Sequence, residues 1–412
     1  MTSKRERLGW AIYDWASSPV PTIHATFVFA VYFTTTIMPE NGTFVWAWLT
    51  GGTAFLVALA APFAGRLADT TGRIKSFLVA SLLIGASATG LLWFAGPEAK
   101  FAVYALVISA ISIFFMEISF VFYNAMLGKL SHGDDIGKVS GWAWGTGYIG
   151  AVISLVLVLA IFILPENKPF GLNPDEAEHV RATMIFVMLW AVIFSIPMML
   201  YAPSLPATPQ QGSYFTQLKQ SVRVAMAIPD MVRFLLARMA FNDGLVTLFA
   251  MGGIYAAKVF GFAQMEIILF AIALNVSAGF GAIIGGWADD RIGPLRTMRI
   301  SLICLMLFGV LAIIAPTKLI FWIAGICLGV FVGPLQSAAR SYVARQAPDD
   351  SKASLFGLYM VSGKITSIIG PFCYGLLVAI TGIERAGMVI VLVLIGLGFV
   401  LLPRQPKPDS TA

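Results

Sequence analysis

The sequence predicts an all-α membrane protein: twelve transmembrane helices in two six-helix repeats, with both termini cytoplasmic. Three observations lead there. Of 412 residues, 58% are hydrophobic and only 12% charged, with a mean hydropathy of +0.84. A soluble domain carries about 25% charged residues, so the apolar excess here must face lipid. Apolar runs long enough to cross a bilayer recur twelve times, and one loop motif occurs once in each half.

A helix needs about 20 apolar residues to cross the hydrocarbon core. Such runs fall at roughly 10–38, 43–69, 75–96, 101–128, 138–164, 181–203, 231–258, 263–289, 296–316, 318–343, 352–380 and 384–403. The first follows a basic start but is too long for a signal-peptide core, so it reads as a retained span. Short connections suit antiparallel neighbours. The longer stretch from Ser204 to Asp230 divides the chain into an N-terminal bundle (1–203), a linker (204–230) and a C-terminal bundle (231–412). Within the linker, Tyr214, Phe215, Leu218, Val222 and Ala225 recur at helical spacing with Lys219 and Arg223 between them. That pattern suits an amphipathic helix on the inner membrane face; a plain linker with one helical turn is the alternative.

Lysine and arginine set the orientation. With the N-terminus inside, inner loops carry roughly three basic residues for each one on the outer side, which places both termini in the cytoplasm. The net charge of +6 forms no dense stripe, so nucleic acid is not an expected partner. Cys304, Cys327 and Cys373 lie singly in apolar runs and suit neither a disulfide framework nor a metal motif. No phosphate-cradling glycine loop or nucleophile–base set occurs. The expectation is a non-enzyme without cofactor or metal.

The loop after span two reads Gly65-Arg66-Leu67-Ala68-Asp69-Thr70-Thr71-Gly72-Arg73-Ile74-Lys75, and the loop after span eight runs from Gly285 through Ala288-Asp289-Asp290-Arg291 to Arg296. Lys138-Val139-Ser140 opening span five echoes Lys352-Ala353-Ser354 opening span eleven. Parallel six-helix repeats are a transporter architecture. On these motifs the sequence resembles the major facilitator superfamily, whose signature loop Gly65–Lys75 matches closely. That resemblance implies a gating role for Gly65, Asp69, Arg73, Asp289 and Arg291, with charge pairs made and broken at the cytoplasmic helix ends. Asp69 is expected within reach of Arg73.

Gly9-Trp10-Ala11-Ile12-Tyr13-Asp14-Trp15-Ala16-Ser17-Ser18, Phe122-Tyr123-Asn124-Ala125, and Ser140-Gly141 through Gly147-Tyr148-Ile149-Gly150 resemble the vacuolar amino-acid effluxer-like branch of that superfamily. Its fungal members are associated with efflux of neutral amino acids, and the branch points to Asn124 as a site residue. Pro19, Pro21 and His24 depart from its pattern.

Charged groups at the bilayer centre cost about 2.5–3.5 kcal/mol each on insertion scales, so each is a functional candidate. At about 1.5 Å per residue, His24, Glu117 and Lys364 fall near the midplane, with Asp243 close to that level. The resemblance puts spans one, four, seven and ten around a central cavity. Lys364 suits a substrate carboxylate, and Glu117 or Asp243 an ammonium; the alternative is a permanent pair that only locks helices. His24 and Glu117 are candidates for a coupling proton; an interhelical hydrogen bond is the other reading of His24. Asp14 and Arg238 occupy equivalent places in the repeats and suit a gating pair. Tyr148 is a further substrate-contact candidate.

Pro19 and Pro21 deprive the carbonyls of Trp15 and Ser17 of helical partners, predicting a kink in span one that either lines the site or is inert. Gly252-Gly253 loosens span seven similarly. Gly281 and Gly285, with Gly325, Gly329 and Gly333, form small faces suited to close helix contact.

The resulting expectation is a secondary active transporter of a small polar or zwitterionic metabolite, a neutral amino acid preferred, working by alternating access. It is expected in a bacterial inner membrane as a monomer among lipids, with proton and sodium both open as coupling ions. A proton-linked exporter of amphipathic compounds or lipids, and a non-transporting receptor or assembly factor, are the alternatives.

Overall fold

The computed structural model describes residues 4–40, 42–130, 135–203, 214–262, 264–348, 351–367 and 369–404, so residues 204–213 of the expected linker lie outside the described residues. Among the described residues the ordered structure is helical throughout, with no strand. Among the described residues, twelve segments are long and apolar enough to cross a membrane. Spans one to six are Lys4–Ile37, Trp48–Thr71, Ile74–Phe94, Ala99–Leu130, Ile136–Ile163 and Glu178–Tyr201. Spans seven to twelve are Met231–Phe260, Leu269–Ile292, Pro294–Ile314, Lys318–Gln346, Lys352–Thr381 and Glu384–Leu401. A separate helix, Tyr214–Ala227, precedes span seven.

Large apolar side chains such as Leu59, Ile284, Leu307 and Val400 stand exposed. In water that surface would be costly; in lipid it is what solvates a helix whose backbone is satisfied internally.

By compactness the chain divides into two units. The first comprises Met1–Leu130, Thr146–Gly212 and Asp349–Gly357; the second comprises Ser131–Gly145, Ser213–Pro348 and Leu358–Ala412. Each unit thus contains most of one sequence repeat and the opening turns of a span from the other. In the first, span one packs on span six, and span three on spans four and six. In the second, span eight packs on span ten, and span seven on span twelve. The glycine faces explain the first of these contacts. A methyl at Gly281 would enter the Val330 carbonyl, and one at Gly333 the Ala278 carbonyl, so the two backbones approach as only small residues allow.

Two spans depart from regular α-helix where the sequence carries proline. In span one, Val20–Phe27 and Phe33–Ile37 are wide π-type turns, and Val28 N–H reaches back to the Ile23 carbonyl at 3.0 Å. The carbonyl of Trp15, left without a partner by Pro19, accepts from Trp190 Nε1 at 3.1 Å and from Ser18 Oγ at 3.0 Å. Span eleven is two helices, Lys352–Lys364 and Ile369–Thr381, with a turn at residues 365–367.

Candidate functional site

The first four N–H groups of a helix have no partner within it, and a carboxylate placed there also meets the positive end of the helix dipole. Each unit contains such a cap on the opening turn of a span. In the first, Asp69, at the end of span two, accepts from the backbone N–H groups of Ala353 at 3.1 Å and Ser354 at 2.8 Å, and from Ser354 Oγ at 2.6 Å. The helices cross closely here, since a methyl at Gly65 would enter the Ala353 carbonyl and one at Gly357 would lie 2.7 Å from the Ala61 carbonyl. In the second, Asp290, near the end of span eight, accepts from the N–H groups of Gly137 at 2.7 Å and Lys138 at 2.8 Å. Gly286 and Gly141 form the matching crossing.

This geometry sets the equivalence of the repeats. Gly286 and Asp290, rather than Gly285 and Asp289, stand where Gly65 and Asp69 do. One residue along a helix is a rotation of about 100°, and Asp289 turns instead to the Ser341 hydroxyl, with Arg345 at 3.8 Å. Arg345 also reaches Asp290 at 2.7 Å. Beside this cap the buried Arg340 donates to Ser140 Oγ at 3.0 Å and to the Ser140 carbonyl at 2.6 Å, while its guanidinium lies over the Trp144 ring. Arg73 is not drawn into the Asp69 cap. It stands exposed, in a cleft with Lys75 and Ser76, and Arg66, buried one turn before Asp69, is the cation in electrostatic reach of that carboxylate. Arg291 lies over the Trp287 ring.

The first unit also contains a buried polar cluster around Asp14. Tyr123 donates its hydroxyl to Asp14 Oδ2 at 2.9 Å, and its ring stacks on Trp10 at 4.4 Å. Trp10 Nε1 donates to the Tyr123 carbonyl at 2.8 Å, and the Tyr13 hydroxyl bonds with Ser119. Span five closes on the same place: a methyl at Gly147 would lie 3.1 Å from Asp14 Cβ, and Tyr148 lies within electrostatic reach of Asp14. Ser119 escaped the sequence reading because an uncharged residue in an apolar helix carries no marker, and Tyr123, quoted there in the motif beside the selected and buried Asn124, was not singled out as a site residue.

His24 belongs to a separate group. Fully buried, it meets Ser109 Oγ through Nε2 at 3.0 Å and Ser112 Oγ through Nδ1 at 3.4 Å, and Ser112 bonds on to Thr89 at 2.6 Å. Phe29 and Trp46 wall it with ring edges. Glu117 is half-buried further along span four.

In the second unit, Arg238, Asp243 and Lys364 converge on the break in span eleven. Arg238 Nη1 donates to the Tyr359 carbonyl at 2.6 Å and to Ser362 Oγ at 2.9 Å, and the guanidinium lies 3.6 Å from the Tyr359 ring centre. A Cβ at Gly363 would lie 2.5 Å from Nη1, so the small residue makes room for the cation. Asn242 Nδ2 donates to the Gly363 carbonyl at 2.8 Å. Asp243 accepts from Gly370 N–H through both oxygens, at 3.2 and 3.1 Å. Lys364 closes the first helix. Neither Asn242 nor the break in span eleven was foreseen from the sequence; Gly363, Gly370 and Pro371 were the available signal for the break.

A match to the family described as "Vacuole effluxer Atg22 like" covers residues 45–406. An uncharacterized MFS-type transporter of Bacillus subtilis, YxiO, is 26% identical over 99% of this chain and 96% of its own length. Autophagy-related protein 22-1 of Neosartorya fischeri is 25% identical over 64% of this chain, and the match spans about half, 47%, of the fungal protein. Among solved structures, the human organic anion transporter MFSD10 superposes with a TM-score of 0.77 at 14% identity, covering 97% of this chain and 99% of that one. The proton:xylose symporter XylE gives 0.75 at 11% identity, over 96% and 94% of the two chains. These likenesses share the twelve-helix fold described above. The chain belongs to the vacuole effluxer Atg22-like family, and it is a multi-pass membrane transporter of the major facilitator fold rather than an enzyme.

Proposed function

We propose that the protein moves a small polar or zwitterionic metabolite, with neutral amino acids preferred, by alternating access. The six-helix halves, 1–203 and 231–412, act as the moving bodies, joined by the linker 204–230. Both termini face the cytoplasm of a bacterial cell whose inner membrane holds the protein as a monomer. The basic-residue bias and the full-length bacterial relative support that location.

The observation that carries this reading is the matched pair of carboxylate caps, Asp69 on the start of span eleven and Asp290 on the start of span five. A bond from a carboxylate to a helix N-terminus stabilises one arrangement and is lost whole when the helix end withdraws. Lys364 with Asp243 supports a zwitterionic cargo, the ammonium of one meeting a carboxylate and the carboxylate of the other an ammonium. Glu117, Asn124 and Tyr148 are proposed as further substrate contacts and His24 as a coupling group, with Asp14, Arg238, Gly65, Arg73, Asp289 and Arg291 modulating the transition.

The test is counterflow of labelled alanine, leucine and tyrosine in proteoliposomes, run beside thermal stability of the purified protein with each amino acid. Saturable exchange and ligand stabilisation are expected, both abolished in Lys364→Ala. In Asp69→Asn, stabilisation is expected to survive while exchange fails. Stabilisation by amphipathic cations or lipids, and by no amino acid, would sink the substrate assignment.

A further inference from the structure

Span eleven breaks where its sequence is least able to hold a helix. Pro371 has no N–H to give the Ser367 carbonyl, and Gly363 and Gly370 flank the segment. The α-type ladder gives way to tighter bonds, Ser367 N–H to the Lys364 carbonyl at 3.3 Å and Ile369 N–H to the Thr366 carbonyl at 2.8 Å. In a continuous helix the Thr366 carbonyl would instead take Gly370 N–H. That N–H goes to Asp243.

Span seven thus grips both sides of the break, with polarity matched to each. Asn242 donates to the Gly363 carbonyl at the end of the first helix, the negative end of its dipole, Arg238 donates to the Tyr359 carbonyl one turn earlier, and Asp243 accepts at the start of the second helix, the positive end. Gln336 of span ten steadies Asn242 by donating to its Oδ1 at 3.3 Å. We propose that span eleven is a hinged helix and that a proton on Asp243 opens the clamp. This deepens the transport reading, on which it rests, by naming the coupling ion as a proton and span eleven as the element that responds to it.

The chemistry singles out Asp243. Of the three side chains that grip the break, Asp243 alone is a carboxylate, and Asn242 has no charge to lose. Asp243 is 2% exposed, and its carboxylate has one backbone donor and no ion pair among the described residues. Buried charges are normally paired, so this one is spared the partner that would fix its state. Protonated, it loses its attraction to the helix dipole, and one of the two oxygens that share Gly370 N–H becomes an O–H, which weakens the hold. Gly370 N–H is then free to return to Thr366 and straighten the span.

Few other charges surround it. The second helix of span eleven has no acidic, basic or histidine residue, and the first ends at Lys364. Span twelve contributes Glu384, bonded to Lys258 and Tyr374, and Arg385, bonded to the Ile313 and Ala315 carbonyls. Charges on the helices of spans eight and ten lie near their ends: Glu266, just before span eight, with Asp289, Asp290 and Arg291 at its close, and Lys318, Arg340 and Arg345 on span ten. The helix Tyr214–Ala227, which contacts span seven, carries Lys219 and Arg223, both exposed.

The test is hydrogen–deuterium exchange of the full chain in lipid nanodiscs at pH 5.5 and 8.0, without substrate, with labelling times scaled to equal intrinsic exchange. Peptides covering 364–374 are compared with span nine as reference. In the wild type, protection around Gly370 is expected to differ about tenfold between the two pH values, with span nine unchanged. Asp243→Asn should show the pH 5.5 pattern at both. Equal protection at both pH values in the wild type, a shift common to all peptides, or wild-type pH dependence in Asp243→Asn would each overturn the proposal. No gradient or cargo enters the measurement, so a negative result here leaves the transport reading to be judged by counterflow, and absent counterflow leaves this result intact.

Discussion

Asp69 and Ser354, far apart in sequence, are joined twice: the carboxylate accepts the serine's backbone N–H at 2.8 Å and its hydroxyl at 2.6 Å. The signature loop therefore acts on a helix start rather than on its own arginine, Arg73. Replacing the carboxylate by an amide turns one acceptor into a donor facing donors. Asp69→Asn should cost about 1–3 kcal/mol, read as a lower melting temperature, and Asp290→Asn should behave alike. Asp289→Asn, one residue away, should leave the cap on span five intact, visible as unchanged exchange at Gly137 and Lys138.

The close crossings predict a steric contrast. Gly65→Ala drives a methyl into the Ala353 carbonyl, whereas a methyl added at Gly252 or Gly375 would meet nothing within 4 Å. Overpacking of this kind costs about 1–3 kcal/mol. Gly65→Ala should lower the melting temperature measurably, while Gly252→Ala and Gly375→Ala should match the wild type.

Tyr123→Phe removes the hydroxyl that Asp14 accepts. The buried carboxylate loses a charge-assisted bond, for an expected cost of about 1.5–3 kcal/mol. Adding Asp14→Asn to Tyr123→Phe should cost less than Asp14→Asn alone, because the two groups share one interaction. Full additivity in the melting temperatures would mean the pair is not coupled.

Arg238→Lys keeps the charge but gives up the planar contact with Tyr359. Stacking of this kind at a desolvated site contributes about 1–2 kcal/mol, and lysine does not reproduce it. The variant should be less stable than the wild type but more stable than Arg238→Ala, which also removes the hydrogen bonds from Nη1 to the Tyr359 carbonyl and to Ser362 Oγ.

The spans were legible because bilayer thickness imposes a length and a polarity that composition reports directly; most ends fall within about three residues of those expected, while span one begins earlier, at Lys4, and spans two and eight begin later, at Trp48 and Leu269. The kink of span one was legible from Pro19 and Pro21; that Trp190, from span six, would satisfy the freed carbonyl of Trp15 was not. His24 was visible as an ionisable group in an apolar run, but its partners Ser109, Ser112 and Thr89 were not, since small hydroxyl residues are ordinary in such helices.

The sequence by itself determined the membrane-spanning helices and the loop motif repeated after spans two and eight, because hydropathy and turn chemistry are local properties, and that motif carried the resemblance to a transporter family. Tertiary structure alone decided which face each span presents. Apolar helices have almost no amphipathic bias to fix their rotation, and one residue of register turns a side chain through about 100°. On that rotation depended whether Asp289 or Asp290 would cap span five, and whether Arg238, Asn242 and Asp243 would meet the break in span eleven.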